Sequence, residues 1–576
     1  MAALFGLFGR ARLLRSVALF FLGLTWVPTF CLAILLLTGI RNWGLPAGLL
    51  CLVLLIALWH YLFRDLPRRD RWLLSGLIVA CVLLAALFSV CIFDSSCDGR
   101  WYHADAVLGL LHGANPVYGQ MPAISEPLWV NHYPKAFEYF AALVIHVVRL
   151  YQLGKIYHLL LIFSVAAYAG DFFVRQRLRR GDAAMLACLA AVTPICVSQM
   201  FSYYVDGAIG SLLTLGLLAV LNLAECPAYL DRIILVLAGS MLVAGKFTGG
   251  VYVVILTGLL IAFRVLLRRG SMDAKLRGLL AADAIGMLAA AGLGLLVLGF
   301  HPYVTNVLHG HHPLYPVVGS RTFTDVINGS NPEYFRNGNF STVEKFLISF
   351  FSETKQAFSG KDSAPVLKLP LTVRLREITS MAVPDVRFAG WGVLFSGVML
   401  ASVLVATRMR KAFDRRLILA ILIIVSVSFF NRECYFARYT PALPLLPLFL
   451  LLPALSTPAP ARWLWGARAI CVMMALNTFL CGGAATAATL LKTRRLQARF
   501  AEIVQKGGAG DYWAGHARGQ QMHYEQFSGL QGITICGDLP PASPAATAVG
   551  FAVTMANSGE AEATLYKGSC RSGAPF

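Results

Sequence analysis

Trp72-Leu-Leu-Ser-Gly-Leu-Ile-Val-Ala-Cys-Val-Leu-Leu-Ala-Ala-Leu-Phe-Ser-Val-Cys-Ile-Phe93 runs 22 residues without a charge, and Asp94-Ser-Ser-Cys-Asp98-Gly-Arg-Trp-Tyr102-His-Ala-Asp105 follows at once. As a helix the apolar run reaches roughly 33 Å, enough for a hydrocarbon core of about 30 Å. Arg64-Asp-Leu-Pro-Arg-Arg-Asp-Arg71 precedes it with four arginines. Basic loops stay in the cytoplasm, so this helix delivers Asp94 and Asp98 to the opposite face. The rest of the chain agrees: 57% of 576 residues are hydrophobic, 14% are charged and mean hydropathy is +0.66. Soluble domains carry about 25% charge, so a soluble protein is excluded. The net charge of +20 is concentrated between apolar runs, where it reports topology rather than nucleic-acid binding.

Working outward, residues 17–38 form an apolar run preceded by Arg10, Arg12 and Arg15. It is too long for a signal sequence and lacks a small-residue cleavage site, so it predicts a retained span with a cytoplasmic N-terminus. Residues 45–63 and 72–93 are the next spans. Residues 136–151 are apolar, but counting them as a span would turn Arg175-Gln-Arg-Leu-Arg-Arg180 outward, so they predict a helix lying in the outer interface. Further spans follow at 156–173, 183–201, 207–224, 233–245, 249–263, 279–300, 388–407, 417–430, 441–455 and 464–490. The expectation is an all-α polytopic membrane protein of about 13 transmembrane helices with its C-terminus outside. Residues 1–490 form the membrane domain, with outer loops at 94–155 and 301–387, and residues 491–576 form a small α+β periplasmic domain. Within that tail, Cys536 and Cys570 are expected to bond to each other, because a small core gains most from a staple.

The loop after the third span is the densest polar stretch. A carboxylate just above the hydrocarbon boundary, flanked by aromatics, reaches both a lipid-borne headgroup and a soluble acceptor, which suits Asp98 to act as a general base. The plainer alternative is a cap: a helix beginning near Gly99 would place Tyr102, Asp105 and Ala106 on one face with Asp98 at its start. Seven histidines (103, 112, 132, 301, 309, 311 and 312) fall near the outer face without an i, i+4 pair, so a divalent metal is left open rather than assigned.

Asp98-x-x-x-Tyr102-His103, Gly113-Ala-Asn-Pro-Val-Tyr118 and His132-Tyr-Pro-Lys135 together resemble the first outer loop of the GT-C superfamily of integral membrane glycosyltransferases. Weaker similarities follow in Ser202-Tyr-Tyr-Val-Asp206-Gly, Lys246-Phe-Thr-Gly, His301-Pro-Tyr-Val-Thr-Asn306, Pro313-Leu-Tyr-Pro316 and Ala437-Arg438-Tyr439-x-Pro441. The resemblance implies a polyprenyl-phosphate sugar donor, Asp98 as the catalytic base with Asp206 as a second acid or metal ligand unless it only caps its span, juxtamembrane helices, and substrate contacts from Tyr102, His103, Lys246, Arg438 and Tyr439. Lys246 and Arg438 are placed to pair with a departing phosphate. Gly99 stands where the family carries a second acid beside the Asp.

The expected activity is transfer of a sugar to a glycan, lipid or protein of the cell envelope at the periplasmic face of a bacterial inner membrane. An outward site has no access to cytoplasmic nucleotide sugars, which points to a lipid-linked donor independently. A polymerase or O-antigen ligase would use lipid-pyrophosphate oligosaccharides and lean on cationic outer loops, whereas this first loop is acidic. A transporter would place charges at midplane, whereas most ionisable residues here sit at span ends. Reporter fusions at Arg179 and Arg410 should read cytoplasmic, and fusions after Asn328 or Gly508 external; an external signal at Arg179 would mean that 136–151 spans.

Overall fold

The computed structural model describes residues 12–122, 126–176, 178–266, 274–321, 331–356, 364–456 and 459–507, with strand segments 510–515, 533–538, 551–553 and 563–567. Among them, eight helices are long and apolar enough to cross a membrane: Leu13–Leu37, Gly44–Phe63, Arg68–Cys91, Tyr151–Arg175, Asp206–Glu225, Phe247–Leu266, Ala274–Val297 and Ala461–Ala498. The chain is a multi-pass membrane protein. The other five expected spans are shorter. Tyr229–Gly245, Phe395–Arg408, Arg415–Phe429 and Leu446–Ser456 have 17, 14, 15 and 11 residues. The run 183–201 is broken into Arg180–Ala191 and Pro194–Gln199. Pro194 has no N–H to continue the first helix, and the Thr193 hydroxyl caps the second by accepting from the Cys196 amide.

Ionisable side chains gather in two layers at opposite ends of these helices. In the first, Arg15 donates to Asp171 at 2.7 Å and to Asp231 at 2.8 Å. The Tyr168 hydroxyl reaches Asp231 at 2.6 Å, and Arg175 reaches the Asn222 side chain at 2.6 Å. Arg264 pairs with Asp283, and Arg468 meets Asp182 through two bonds of 3.0 and 2.8 Å. These residues lie in the loops expected inside or in the adjoining ends of the expected spans, and they knit together the same ends of Leu13–Leu37, Tyr151–Arg175, Asp206–Glu225, Tyr229–Gly245 and Phe247–Leu266. At the other end Asn115 donates to Leu36 O, Phe93 N to the Thr493 hydroxyl, and Asn477 to Trp391 O. Each long helix acts as a strut between an arginine-rich layer and the layer that holds the outer loops.

The segment 136–151 departs from expectation. Its helix ends at Val148, is 13 residues long, and buries nine of them, because it is apolar on nearly every face. It is buried against the rest of the protein, with the Thr29 hydroxyl donating to Ala136 O. At roughly 20 Å it is too short to cross. The last span and the amphipathic start of the tail are one helix, Ala461–Gly507. The strands after it pair in the order Ile533–Asp538, Gly510–Gly515, Ala563–Lys567, Phe551–Val553, the first pair parallel and the others antiparallel. Cys570 lies outside the described residues, and with it the expected bond to Cys536. The long outer loop carries the helices Glu333–Asn337, Thr342–Phe350 and Leu375–Ser380. It reaches the span at Gly392, whose φ of 108° and a Cβ position 2.4 Å from Asn477 Oδ1 admit only glycine.

Arg15→Ala should lower stability by about 3 to 5 kcal/mol, because it leaves Asp231, with a fully buried side chain, without its cation. Arg64→Ala, which removes an exposed pair, should cost less than ~1 kcal/mol. Thermal unfolding of both variants in one detergent tests the contrast.

Candidate functional site

Asp98 stands before a five-residue π turn, Gly99–His103, that leads into the helix Ala104–Leu111. Its side chain accepts no capping bond from that turn, so the capping alternative does not describe it. Instead its Oδ2 accepts from Arg438 Nη1 at 2.7 Å. The Asp98 side chain is 26% exposed and that of Arg438 13%, an accessible carboxylate on a largely buried guanidinium. Gly99 has no room for a side chain: a Cβ there would sit 2.3 Å from both Asp94 Oδ2 and Ser96 Oγ. The place where the GT-C pattern carries a second acid is therefore sterically closed. Asp94 is buried and structural, accepting from Ser96 N at 2.7 Å and Tyr203 N at 2.8 Å, and so ties the first outer loop to the stretch before Asp206. The π turn also divides the expected face: Asp105 and Ala106 are buried, while Tyr102 is half-buried against Trp129 and Tyr133.

Arg438 lies on a short 3-10 turn, Ala437–Tyr439, where aromatic rings surround its guanidinium: Phe436 at 4.8 Å, Tyr439 at 5.2 Å and Tyr204 at 5.6 Å. Its Nε lies 3.5 Å from Asp385 Oδ1, and the other Asp385 oxygen accepts from Arg387 at 2.9 Å. Burial pushes the Asp385 carboxyl above its ordinary range, and Arg438 and Arg387 oppose that. Burial also works against the Arg438 charge, but Asp385, Tyr439 and Asp98 outweigh it and keep the guanidinium ionised.

A second ion pair completes the cluster. Lys246 occupies an extended residue between Tyr229–Gly245 and Phe247–Leu266 and donates to Asp206 Oδ1. Gln199 holds the other Asp206 oxygen at 3.3 Å while accepting from Gly207 N at 2.7 Å. Tyr439 joins the two pairs: Lys246 Nζ lies 4.8 Å from its ring centroid, and Arg438 donates to its hydroxyl at 3.3 Å. Asp98, Asp206, Lys246, Arg438 and Tyr439, scattered over 342 positions of the sequence, thus meet at one end of the bundle, with Tyr102 beside them.

His103 turns inward, its Nδ1 2.6 Å from Glu138 Oε1 with both side chains buried. His132 binds the Asn306 side chain at 2.8 Å, and His311 stacks on Tyr315 at 4.4 Å. Burial lowers the His301 pKa far below the usual range, so this imidazole is neutral. Among the described residues no three His, Cys, Asp or Glu side chains converge to hold a metal.

Sequence reasoning missed Asp385, Arg387, Glu138, Gln199 and Tyr204. Asp385 and Arg387 carried one signal: they sit at the mouth of the span expected at 388–407, as Asp94 and Asp206 do at theirs. Nothing in the local sequence marks Glu138, an acid inside an apolar run, as the partner of His103.

No protein-family model matches the sequence, and no curated protein matches it. Among solved structures the chain is similar to the crystal structure of ArnT from Cupriavidus metallidurans bound to undecaprenyl phosphate, at 12% identity and a TM-score of 0.45 over 85% of this chain and 98% of that one. What the site can do follows from its own side chains.

Lys135 supports the floor of the site. It is fully buried, donates to Tyr133 O at 2.8 Å, and burial pushes its pKa down to about 8 against the pull of Glu138. An unfolded lysine keeps its proton to about 10.5, so between those values the unfolded chain binds more protons and stability rises with pH. The unfolding temperature of the parent relative to Lys135→Met should therefore climb from pH 8 to 10; a flat difference would show that Lys135 is not held in a desolvated site.

Proposed function

We propose that this chain is a GT-C-type membrane glycosyltransferase that moves a sugar from a polyprenyl-phosphate donor to a cell-envelope acceptor on the periplasmic face. The observation that carries this reading is Asp98, partly exposed and held 2.7 Å from Arg438, beside the Lys246–Asp206 pair. A transferase of this kind needs a base for an acceptor hydroxyl within reach of cations for a leaving phosphate, and this cluster supplies both. The arginine-rich layer at the far end of the helices supports an outward site, since basic loops stay in the cytoplasm.

In the proposed reaction Asp98 takes the acceptor hydroxyl proton and the oxygen bonds to the anomeric carbon. The bond from that carbon to the phosphate oxygen breaks, and Arg438 and Lys246 take up the charge of the departing polyprenyl phosphate. Three carboxylates, Asp98, Asp206 and Asp385, balance three cations, Lys246, Arg387 and Arg438, in the resting cluster. An incoming phosphate must then displace one carboxylate from its cation. Asp98 is the one to yield, with 26% of its side chain exposed against 12% for Asp385 and 4% for Asp206. Donor binding thereby releases the base. Tyr102 and Tyr439 present rings suited to stack on a sugar, and His103, locked to Glu138, positions the turn that carries Tyr102. Residues 491–576 form a separate outer domain in this reading.

Purified protein given a synthetic polyprenyl-phosphate sugar and an envelope acceptor fraction should transfer label; use of lipid-pyrophosphate oligosaccharides alone would favour a ligase. Asp98→Asn should reduce turnover at least 10²-fold with folding intact. Arg438→Ala should weaken donor use. Asp94→Asn should lower stability rather than the turnover of folded protein, because Asp94 spends both oxygens on backbone amides. Near-parental turnover by Asp98→Asn would move the base to Asp206 or Asp105.

A further inference from the structure

At the end of the bundle remote from the site, the helix Phe395–Arg408 passes through a short 3-10 turn, Arg410–Ala412, into Arg415–Phe429. Arg408, Arg410 and Lys411 fall within four positions here and are all exposed. Some arginines of this layer meet carboxylates, as Arg15 does with Asp171 and Asp231, Arg264 with Asp283 and Arg468 with Asp182, while others such as Arg179, Arg180 and Arg462 have no carboxylate partner among the described residues. Among the described residues no carboxylate lies within 4.0 Å of Arg408, Arg410 or Lys411. The adjoining acid, Asp414, is committed: it accepts from the Arg416 and Leu417 amides at 2.9 Å each and pairs with the Arg416 side chain, which also reaches Glu225.

The three cations line a depression of about 590 Å³ together with Leu404, Thr407 and Met409. Directly below, Leu400, Val403 and Leu404 are 46%, 43% and 53% exposed at i, i+3, i+4 spacing. Three exposed cations with no carboxylate partner among the described residues, at the end of a lipid-facing helix, match a molecule with a negative head and apolar tails.

We propose that Arg408, Arg410 and Lys411 bind the headgroup of an anionic phospholipid of the cytoplasmic leaflet, whose acyl chains lie along Leu400, Val403 and Leu404. A free anion has no use for the apolar flank, and a zwitterionic lipid brings no net charge to a site with three cations and no free acid among the described residues. The site is distinct from the Asp98 cluster and does not depend on the reaction carried out there.

The test compares the parent and the triple variant Arg408→Gln/Arg410→Gln/Lys411→Gln in bilayers of phosphatidylcholine alone and of phosphatidylcholine with one-quarter phosphatidylglycerol. Phosphatidylglycerol should raise the unfolding temperature of the parent, and this increment should shrink in high salt and vanish in the variant. In native mass spectrometry the parent should retain a phosphatidylglycerol adduct that the variant binds on the order of a hundredfold more weakly. The single exchanges Arg410→Gln and Lys411→Gln, both at exposed positions, should each remove part of the increment. An equal increment in parent and triple variant would overturn the proposal, marking a bulk bilayer effect. So would an equal increment from inorganic phosphate alone, which would mark a general anion site.

Discussion

An ionised side chain without a partner is costly in hydrocarbon, and that one constraint arranges the molecule. It sorts the charged residues into two layers and leaves the helices between them almost purely apolar. In one layer arginine and aspartate from distant loops neutralise one another, as Arg15 does with both Asp171 and Asp231. In the other, loops of very different length converge because the helix ends that carry them are held at one level. The Asp98 cluster exists because those ends are held in register.

The same constraint shapes the electrostatics of the cluster. Arg438 is surrounded by three aromatic rings and two carboxylates, so the low-dielectric surroundings strengthen every charge interaction it makes. Lys246 is tied to the same ring, Tyr439, and to Asp206. Steric limits contribute too: Gly99 packs so closely against Asp94 and Ser96 that the position after Asp98 admits no side chain.

Much of this was legible along the chain. Apolar runs and arginine loops marked which segments share an end, because hydropathy and charge act locally and additively. Asp98, Asp206, Lys246, Arg438 and Tyr439 could be singled out because polar residues at span mouths are few. The lengths of the segments were harder to read. The run 183–201 looks continuous until Pro194 breaks it, and 388–407 looks helical from its start although the helix begins at Phe395. Hydropathy measures burial, and it cannot separate burial in lipid from burial in protein, which is why the packing of 136–148 inside the protein was not legible from its apolar run.

By itself the sequence determined that the chain crosses a membrane, which loops share a side, and which residue types at the span mouths could handle protons and phosphate. Tertiary structure alone decided the pairings. That Asp98 answers to Arg438 across 340 residues, that Asp385 and Arg387 join them, and that His103 turns away to Glu138 are facts of distance in space. Ion pairs form over a few ångströms, and a chain of this length brings far more acid and base combinations within reach than its order along the sequence can distinguish.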